Sequence, residues 1–144
     1  MNQIAVTLHS AFETARPFLS RAQFATLQEL CNGSEGPYFD GRMRALACQL
    51  VAMPKTREQD GEGVDPVVHL HYFLGGMDWY IVEKDEIGGV EQAYGFVILN
   101  GGHQNAELGN VSIAELVKCG AELDLHFTPC PLSQILAKMA GVGS

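Results

Sequence analysis

Hydrophobic residues recur at helical spacing at the start of the chain. Ile4, Leu8, Phe12 and Ala15 lie three or four residues apart, and Pro17 follows them. An apolar stripe with this period predicts a helix that packs on one side, and the proline predicts its end.

Two further helices are predicted before residue 55. Ser20 and Gln23 form a capping-box pattern ahead of a second apolar stripe, and Gly33 is placed to end that helix in the left-handed conformation. Asp40 is a favourable N-cap for a third helix, which Pro54 would end. The first 54 residues are therefore predicted to be mainly helical.

The apolar pattern changes after a charged, glycine-containing loop at 55–66. The segments 67–74, 79–84 and 93–99 are rich in β-branched and aromatic residues and are separated by short connections. Short connections force neighbouring strands to run antiparallel, because a parallel crossover needs about a dozen residues or more. We expect a three-stranded meander over 67–99.

The C-terminal third combines one short helix, one strand and a last helix. Ser112 and Glu115 form a capping box, Val111 and Leu116 can form a hydrophobic staple, and Gly120 can stop the helix. Alternation over 121–127 predicts a strand. The Thr-Pro pair at 128–129 predicts the start of a helix over 129–140.

These elements predict a single α+β domain over 1–144. Residues 1–54 are mainly helical, 67–127 form a central antiparallel sheet with one short capped helix, and 129–140 form the C-terminal helix. A chain of 144 residues with 47% hydrophobic residues is long enough to bury one core.

Charge is distributed unevenly along the chain. The net charge is -8, with +2 in residues 1–57 and -10 in residues 58–144. Such an acidic surface disfavours direct binding of nucleic acid, whose phosphates require Lys and Arg. It favours a protein partner with a basic surface, or serves solubility alone.

No apolar run approaches the roughly 20 residues that cross a bilayer, and the first residues lack the pattern of a secretory signal. The four cysteines form no C-x-x-C pair and are expected to be reduced. We therefore expect a cytoplasmic protein without a membrane partner.

Four separated motifs carry a family resemblance. The chain reads WYIVEKD from Trp79, AYGF from Ala93, ELGNVSIAEL from Glu107 and DLHF from Asp124, in that order. In these motifs, and in FDGRMRALACQLVAMPKTREQDG over 39–61, it resembles the domain of unknown function 2958. The resemblance covers roughly residues 37–136. The positions that fit the family pattern are Trp79, Glu83, Gly95, Glu107, Leu108, Gly109, Ser112, Glu115, Asp124 and Leu125.

The resemblance implies a small protein of bacterial plasmids, integrative elements or phages, in a family without an established activity. The chain departs from the family pattern at Asn110, where an aromatic residue is usual. Most matching positions have a structural explanation, since Ser112 and Glu115 cap a helix and the glycines suit bends or turns. The carboxylates Glu83, Glu107 and Asp124 are less easily explained, because a buried unpaired carboxylate is unfavourable.

No nucleophile elbow, Walker loop or dinucleotide-binding glycine pattern occurs in the chain. A small metal-dependent or carboxylate-dependent enzyme remains as an alternative. His69 and His71 would project to the same face of a strand, and His126 and Glu83 could add ligands for zinc or iron.

The sequence as a whole favours a binding protein that needs no cofactor. We expect an accessory protein of a mobile genetic element that contacts a basic, nucleic-acid-binding protein, with inhibition of a host restriction or CRISPR complex as one role and plasmid maintenance as another. The expected acidic contact surface comprises Glu58, Asp60, Glu62, Asp65, Glu83, Asp85, Glu86, Glu91, Glu107 and Asp124.

Overall fold

The computed structural model describes residues 7–54, 65–84, 90–99 and 107–139. Its N-terminal part is helical, as the sequence predicts, and a short 3-10 helix at Arg16–Phe18 contains Pro17. The helices are α1 (Leu8–Ala15), α2 (Arg21–Cys31), α3 (Gly36–Ala52), α4 (Ile113–Lys118) and α5 (Leu132–Met139).

Hydroxyl side chains cap two of the predicted helices. The Ser20 hydroxyl accepts a hydrogen bond from the Gln23 backbone N–H at 3.1 Å at the start of α2. The Ser112 hydroxyl accepts one from the Glu115 N–H at 3.2 Å at the start of α4. Both predicted caps are confirmed, and each satisfies a backbone donor that the helix itself leaves unpaired.

Two details of the predicted helices are wrong. Helix α3 begins at Gly36, with Pro37 in its first turn, so Asp40 lies inside the helix and pairs with Arg44 one turn later. Gly33 does not take the left-handed conformation. A proline in the first turn has its φ angle already set for a helix, which explains the earlier start.

The strands include the predicted meander and two that the pattern did not predict, at 107–111 and at 130–131. The strands are β1 (Val67–Val68), β2 (Leu70–Leu74), β3 (Met77–Glu83), β4 (Ala93–Leu99), β5 (Glu107–Val111), β6 (Glu122–Leu123) and β7 (Cys130–Pro131). The main sheet has the order β5-β4-β3-β2-β6, with every pair antiparallel, and β1 and β7 form a separate two-stranded ladder.

The predicted strand over 121–127 is shorter than expected, because only Glu122 and Leu123 pair with β2. The last helix starts at Leu132 instead of Pro129, since β7 comes first. Its start is fixed by Asp65, whose carboxylate accepts hydrogen bonds from the Ser133 backbone N–H at 2.8 Å and from its hydroxyl at 2.7 Å. The α+β class is confirmed.

The two faces of the sheet bury two hydrophobic clusters. Trp79, Ile81 and Val111 belong to the larger cluster, which includes residues of α1, α2 and α3. Tyr80 and Ile98 belong to the smaller cluster, together with residues of α5. We call these the helical face and the α5 face. Alternate residues of each strand point to opposite faces, so neighbouring Trp79 and Tyr80 serve different cores.

Lys84 joins the end of a helix to the sheet. It is only 6% exposed, and its ammonium group donates hydrogen bonds to the carbonyls of Leu50 at 2.7 Å and Val51 at 3.1 Å. These carbonyls lie in the last turn of α3, where a positive charge is favoured by the helix dipole. The Lys84 side chain therefore anchors α3 against β3.

One edge of the main sheet is closed by a side chain. The Gln23 amide donates to the Leu123 carbonyl at 2.8 Å and accepts from the Leu123 N–H at 2.9 Å. This pair of bonds has the pattern that another strand would make with β6. Among the described residues, no side chain makes the same contacts with β5 at the other edge.

Within the described parts of the chain, no helix is long and apolar enough to cross a membrane.

Candidate functional site

A histidine held between two carboxylates lies on the α5 face of the sheet. His71 of β2 stands opposite Tyr80 of β3 in the ladder. The Nε2 atom of His71 lies 2.7 Å from the Asp78 carboxylate, and Nδ1 lies 3.1 Å from the Asp124 carboxylate. We call Asp78, His71 and Asp124 the histidine cluster.

Both ring nitrogens of His71 are engaged in this cluster. Ionised carboxylates can only accept hydrogen bonds, so a ring nitrogen that bears a proton can donate to the carboxylate beside it. The ring also stacks on Tyr80, with centroids 4.5 Å apart and planes within 6°. The imidazole therefore connects two strands and a loop.

Asp124 reaches the cluster because the chain turns after β6. Its N–H donates to the His71 carbonyl at 2.8 Å, and its carboxylate also accepts from the His126 N–H at 3.0 Å. A side chain that binds its own backbone two residues ahead is typical of a turn. This turn is the reason why the predicted strand ends at Leu123.

His71 and Asp124 of the histidine cluster help to form one wall of a pocket of 620 Å³ between the sheet and α5. The Asp124 loop and α5 provide the other walls. Its lining residues are His71, Tyr80, Asp124, His126, Phe127, Thr128, Pro129, Cys130, Pro131, Gln134, Ile135 and Lys138.

The pocket holds its phenol and its thiol in their neutral forms. Burial, with smaller effects of Asp78, Asp124 and Cys130, raises the pKa of Tyr80 to about 12. Burial also raises the pKa of the Cys130 thiol, against a smaller opposing effect of Lys138. A neutral thiol is a poor nucleophile, and a protonated phenol is not a base at neutral pH. Neither group is therefore primed as a nucleophile or a base at neutral pH.

The candidate metal ligands do not converge. His71 and His126 line the pocket, whereas His69 is absent from its lining and Glu83 is only 4% exposed within the fold. No group of three or more His, Cys, Asp and Glu side chains in the described segments could hold a metal ion. The geometry therefore does not favour the metal-dependent alternative.

The expectation that His69 and His71 share a strand face is wrong. The inward–outward alternation of side chains is interrupted between β1 and β2. Val68 packs into the cluster on the α5 face, and Leu70 packs into the cluster on the helical face. His69 lies between the strands, where its N–H donates to the Ile81 carbonyl at 2.9 Å. Burial lowers its pKa, so His69 behaves as a structural histidine.

The predicted acidic surface is only partly retained. Glu58, Asp60, Glu62, Asp85 and Glu86 lie outside the described residues. Three others have structural positions: Asp65 caps α5, Glu83 is buried, and Asp124 belongs to the histidine cluster. The burial of Glu83 contradicts its predicted role in an open contact surface. Asp65 is exposed and Asp124 is partly buried, so their contact role stays a prediction. Glu91 and Glu107 are exposed, and both lie near β5.

A third exposed acid lies near Glu91, at the opposite end of β5 from Glu107. Glu107 is the first residue of β5, and Val111 at the other end pairs with Ala93, two residues after Glu91. The Val90 carbonyl accepts from the Ala114 N–H at 3.1 Å, so this segment contacts the start of α4, which contains the exposed Glu115. We call Glu91, Glu107 and Glu115 the acidic edge.

Sequence reasoning missed Asp78 and Tyr80 as members of the site. A signal for them exists in the hairpin turn, because Gly75 and Gly76 separate β2 from β3 and Gly75 has a φ of 59°. A two-residue turn of this kind sets the strand register. Counting outward from it places His71 opposite Tyr80, with Asp78 as a diagonal neighbour.

Comparisons with protein-family models, with curated proteins and with solved structures give no match. Membership of the domain of unknown function 2958 stays a prediction.

Proposed function

We propose that this protein acts by binding another protein with a basic surface, and that it does not catalyse a reaction at the pocket. The observation that carries the proposal is the state of three pocket groups: both nitrogens of His71 are engaged by carboxylates, and burial raises the pKa values of Tyr80 and Cys130. Neither the phenol nor the thiol is therefore primed as a base or a nucleophile at neutral pH.

The charge of the chain supports a basic partner. Residues 58–144 have a net charge of -10, and Glu91, Glu107 and Glu115 are exposed at the acidic edge. Acidic residues placed this way attract a basic surface and accelerate its approach at low salt. A surface rich in Lys and Arg is typical of proteins that bind nucleic acid.

The family resemblance supports a biological setting for such a partner. Proteins of plasmids and phages meet restriction and CRISPR complexes, whose basic surfaces hold DNA or RNA. We propose that this chain occupies a surface of that kind and lowers the activity of the complex. Maintenance of a plasmid through a basic protein of the same class is the second role that the sequence allows.

A plating assay tests the proposed role directly. The gene is expressed in bacteria that contain one defined restriction or CRISPR system, and the survival of a targeted phage is measured. We expect higher survival with the wild-type chain and reduced protection with E91K/E107K. The double variant E13K/E29K is a matched control, because Glu13 and Glu29 are exposed on α1 and α2.

Purified protein provides the second measurement. Binding to the defence complex should weaken steeply as salt rises, because the contacts are ionic and salt screens them. Survival that never exceeds the empty-vector level with any of the tested systems would argue against inhibition of host defence. Protection that both double variants lose equally would argue against the acidic edge.

A further inference from the structure

We propose that β5 takes up an extended segment of the partner as an added antiparallel or parallel strand. The segment alternates basic and apolar residues. This inference rests on the proposed function, because it assigns the contact surface and the binding mode for a basic partner. Three features of β5 support strand addition: its open edge, the chemistry of its two faces and its charge.

The outer side of β5 has hydrogen-bonding groups for another strand. Strand β5 pairs with β4 on one side and is the last strand of the main sheet. No described residue pairs with its other side. Natural edges are commonly protected by lysine, proline or a covering element. The β5 sequence, Glu-Leu-Gly-Asn-Val, contains neither lysine nor proline.

The α5 face of this edge is apolar. Leu108 is 45% exposed and stands opposite Phe96 in the ladder. Phe96 in turn packs against the cluster beneath α5. An apolar side chain on the same face of an added strand would cover Leu108 and extend this cluster, because directly opposed side chains on one sheet face contact each other.

The helical face of the same edge is acidic. Glu107 points to this face, since strand residues alternate and Leu108 points to the other. A groove of 390 Å³ between the sheet and α4 also reaches β5, and Asn110, Val111 and Glu115 are among its lining residues. A lysine or arginine on this face of an added strand would lie close to Glu107 or Glu115.

The charge of the edge selects a basic partner over a second copy. Pairing two β5 strands would bring together the acidic edges of two chains that each have a net charge of -8. Like charges close together on a sheet are destabilising. The two faces together therefore specify a strand with apolar residues on one side and Lys or Arg on the other.

A synthetic peptide provides the test. The probe is a blocked peptide of about eight residues in which lysine and valine alternate, a length that suits a single strand. Its counterpart alternates glutamate and valine. Binding to the full chain is measured by fluorescence anisotropy at low and high salt, and amide hydrogen exchange is measured over 107–111 with and without peptide. We expect binding of the lysine peptide only, weakened by salt, with slower exchange in β5.

Two variants that each introduce a lysine distinguish binding at β5 from binding elsewhere on the surface. L108K places a lysine on the edge strand, and V51K places one on α3, where Val51 is 68% exposed. Both leave the core unchanged, and circular dichroism and urea unfolding verify that both are folded. We expect L108K to weaken binding of the lysine peptide by about tenfold or more, because it removes the apolar contact and adds repulsion. V51K should bind like the wild-type chain.

The outcomes separate this inference from the proposed function. The lysine peptide could bind in a salt-sensitive manner while L108K has no effect on its affinity, or while amide exchange in β5 stays unchanged. Either result would overturn strand addition and support a basic partner bound elsewhere. Equal binding of the glutamate peptide would overturn the charge argument. Failure of every basic probe to bind, with phage survival also unchanged, would overturn both proposals.

Discussion

Removing the Asp124 carboxylate should destabilise the fold more than its partly exposed position suggests. The Asp124→Ala variant loses a hydrogen bond to His71 at 3.1 Å and one to the His126 N–H at 3.0 Å. A hydrogen bond to a charged group contributes about 1.5–3 kcal/mol and a neutral one about 1 kcal/mol. The side chains of His71 and Asp124 are 15% and 30% exposed, so water replaces part of both.

We expect Asp124→Ala to lose about 2 kcal/mol of unfolding free energy, which corresponds to about 6 °C in Tm for a domain of this size. The assay is urea unfolding followed by circular dichroism, with the slope of the free energy against urea used to verify that the folded and unfolded states remain comparable. Asp40→Ala is the matched control, because Asp40 forms an ion pair with Arg44 within α3, at side-chain exposures of 35% and 43%. A pair of that kind contributes only about 0.3–0.5 kcal/mol.

The comparison of these two variants also bears on the role of the histidine cluster. Residues that serve function at the expense of stability often give a more stable protein when they are replaced. A loss for Asp124→Ala no larger than that for Asp40→Ala, or a gain in stability, would refute the conclusion that the cluster holds the Asp124 loop on the sheet. A double variant with His71→Gln should show coupling of about 1 kcal/mol or more, since the two residues contact each other.

Three other substitutions test the packing and titration of the fold. The Gly95→Ala variant should lose about 1–3 kcal/mol of unfolding free energy, because the added Cβ would lie 2.9 Å from a Cα atom of β3. Gly109, its ladder partner, has open space around the Cβ position, so Gly109→Ala should leave the unfolding free energy nearly unchanged. Burial lowers the pKa of His69, so the unfolded chain takes up a proton that the folded chain resists as pH falls below about 6.5. Stability should therefore fall from about pH 7.5 to about pH 5, and His69→Gln should reduce that fall in urea midpoints measured across the range. The Gln23→Ala variant should lose about 1–2 kcal/mol of unfolding free energy, because the Leu123 N–H and carbonyl lose their hydrogen-bond partner. Faster amide exchange at Leu123 would verify this cause.

The sequence allowed prediction of those elements whose signals are local. Ser20 and Ser112 cap their helices as predicted, and Gly120 ends α4 with a φ of 95°. The meander was predictable for a related reason, because short connections permit only one direction of pairing. Each of these signals lies within a few residues of its effect.

The edge strand β5 gave no such signal. Only Val111 of its five residues is buried, so apolar alternation is missing. Its strand conformation comes from pairing with β4, which is a tertiary contact. Context of this kind often overrides intrinsic strand preference.

The site was only half predictable for the same reason. His71 and Asp124 were both candidates, but they are 53 residues apart and meet only because the chain turns after β6. The alternation of faces is also interrupted between Val68 and Leu70, which separates His69 from His71. A period-two pattern in the sequence does not show where such an interruption occurs.

The Gln23 amide on β6 bears on the stoichiometry of any complex formed through the sheet. With the Leu123 N–H and carbonyl already bonded, the sheet can lengthen at one end only. A sheet with two open edges can take a partner segment at each of them, whereas a sheet with one open edge offers a single site. Complexes formed through β5 should therefore contain one partner segment bound directly to each chain, and Gln23→Ala is the variant in which a second segment would first be expected.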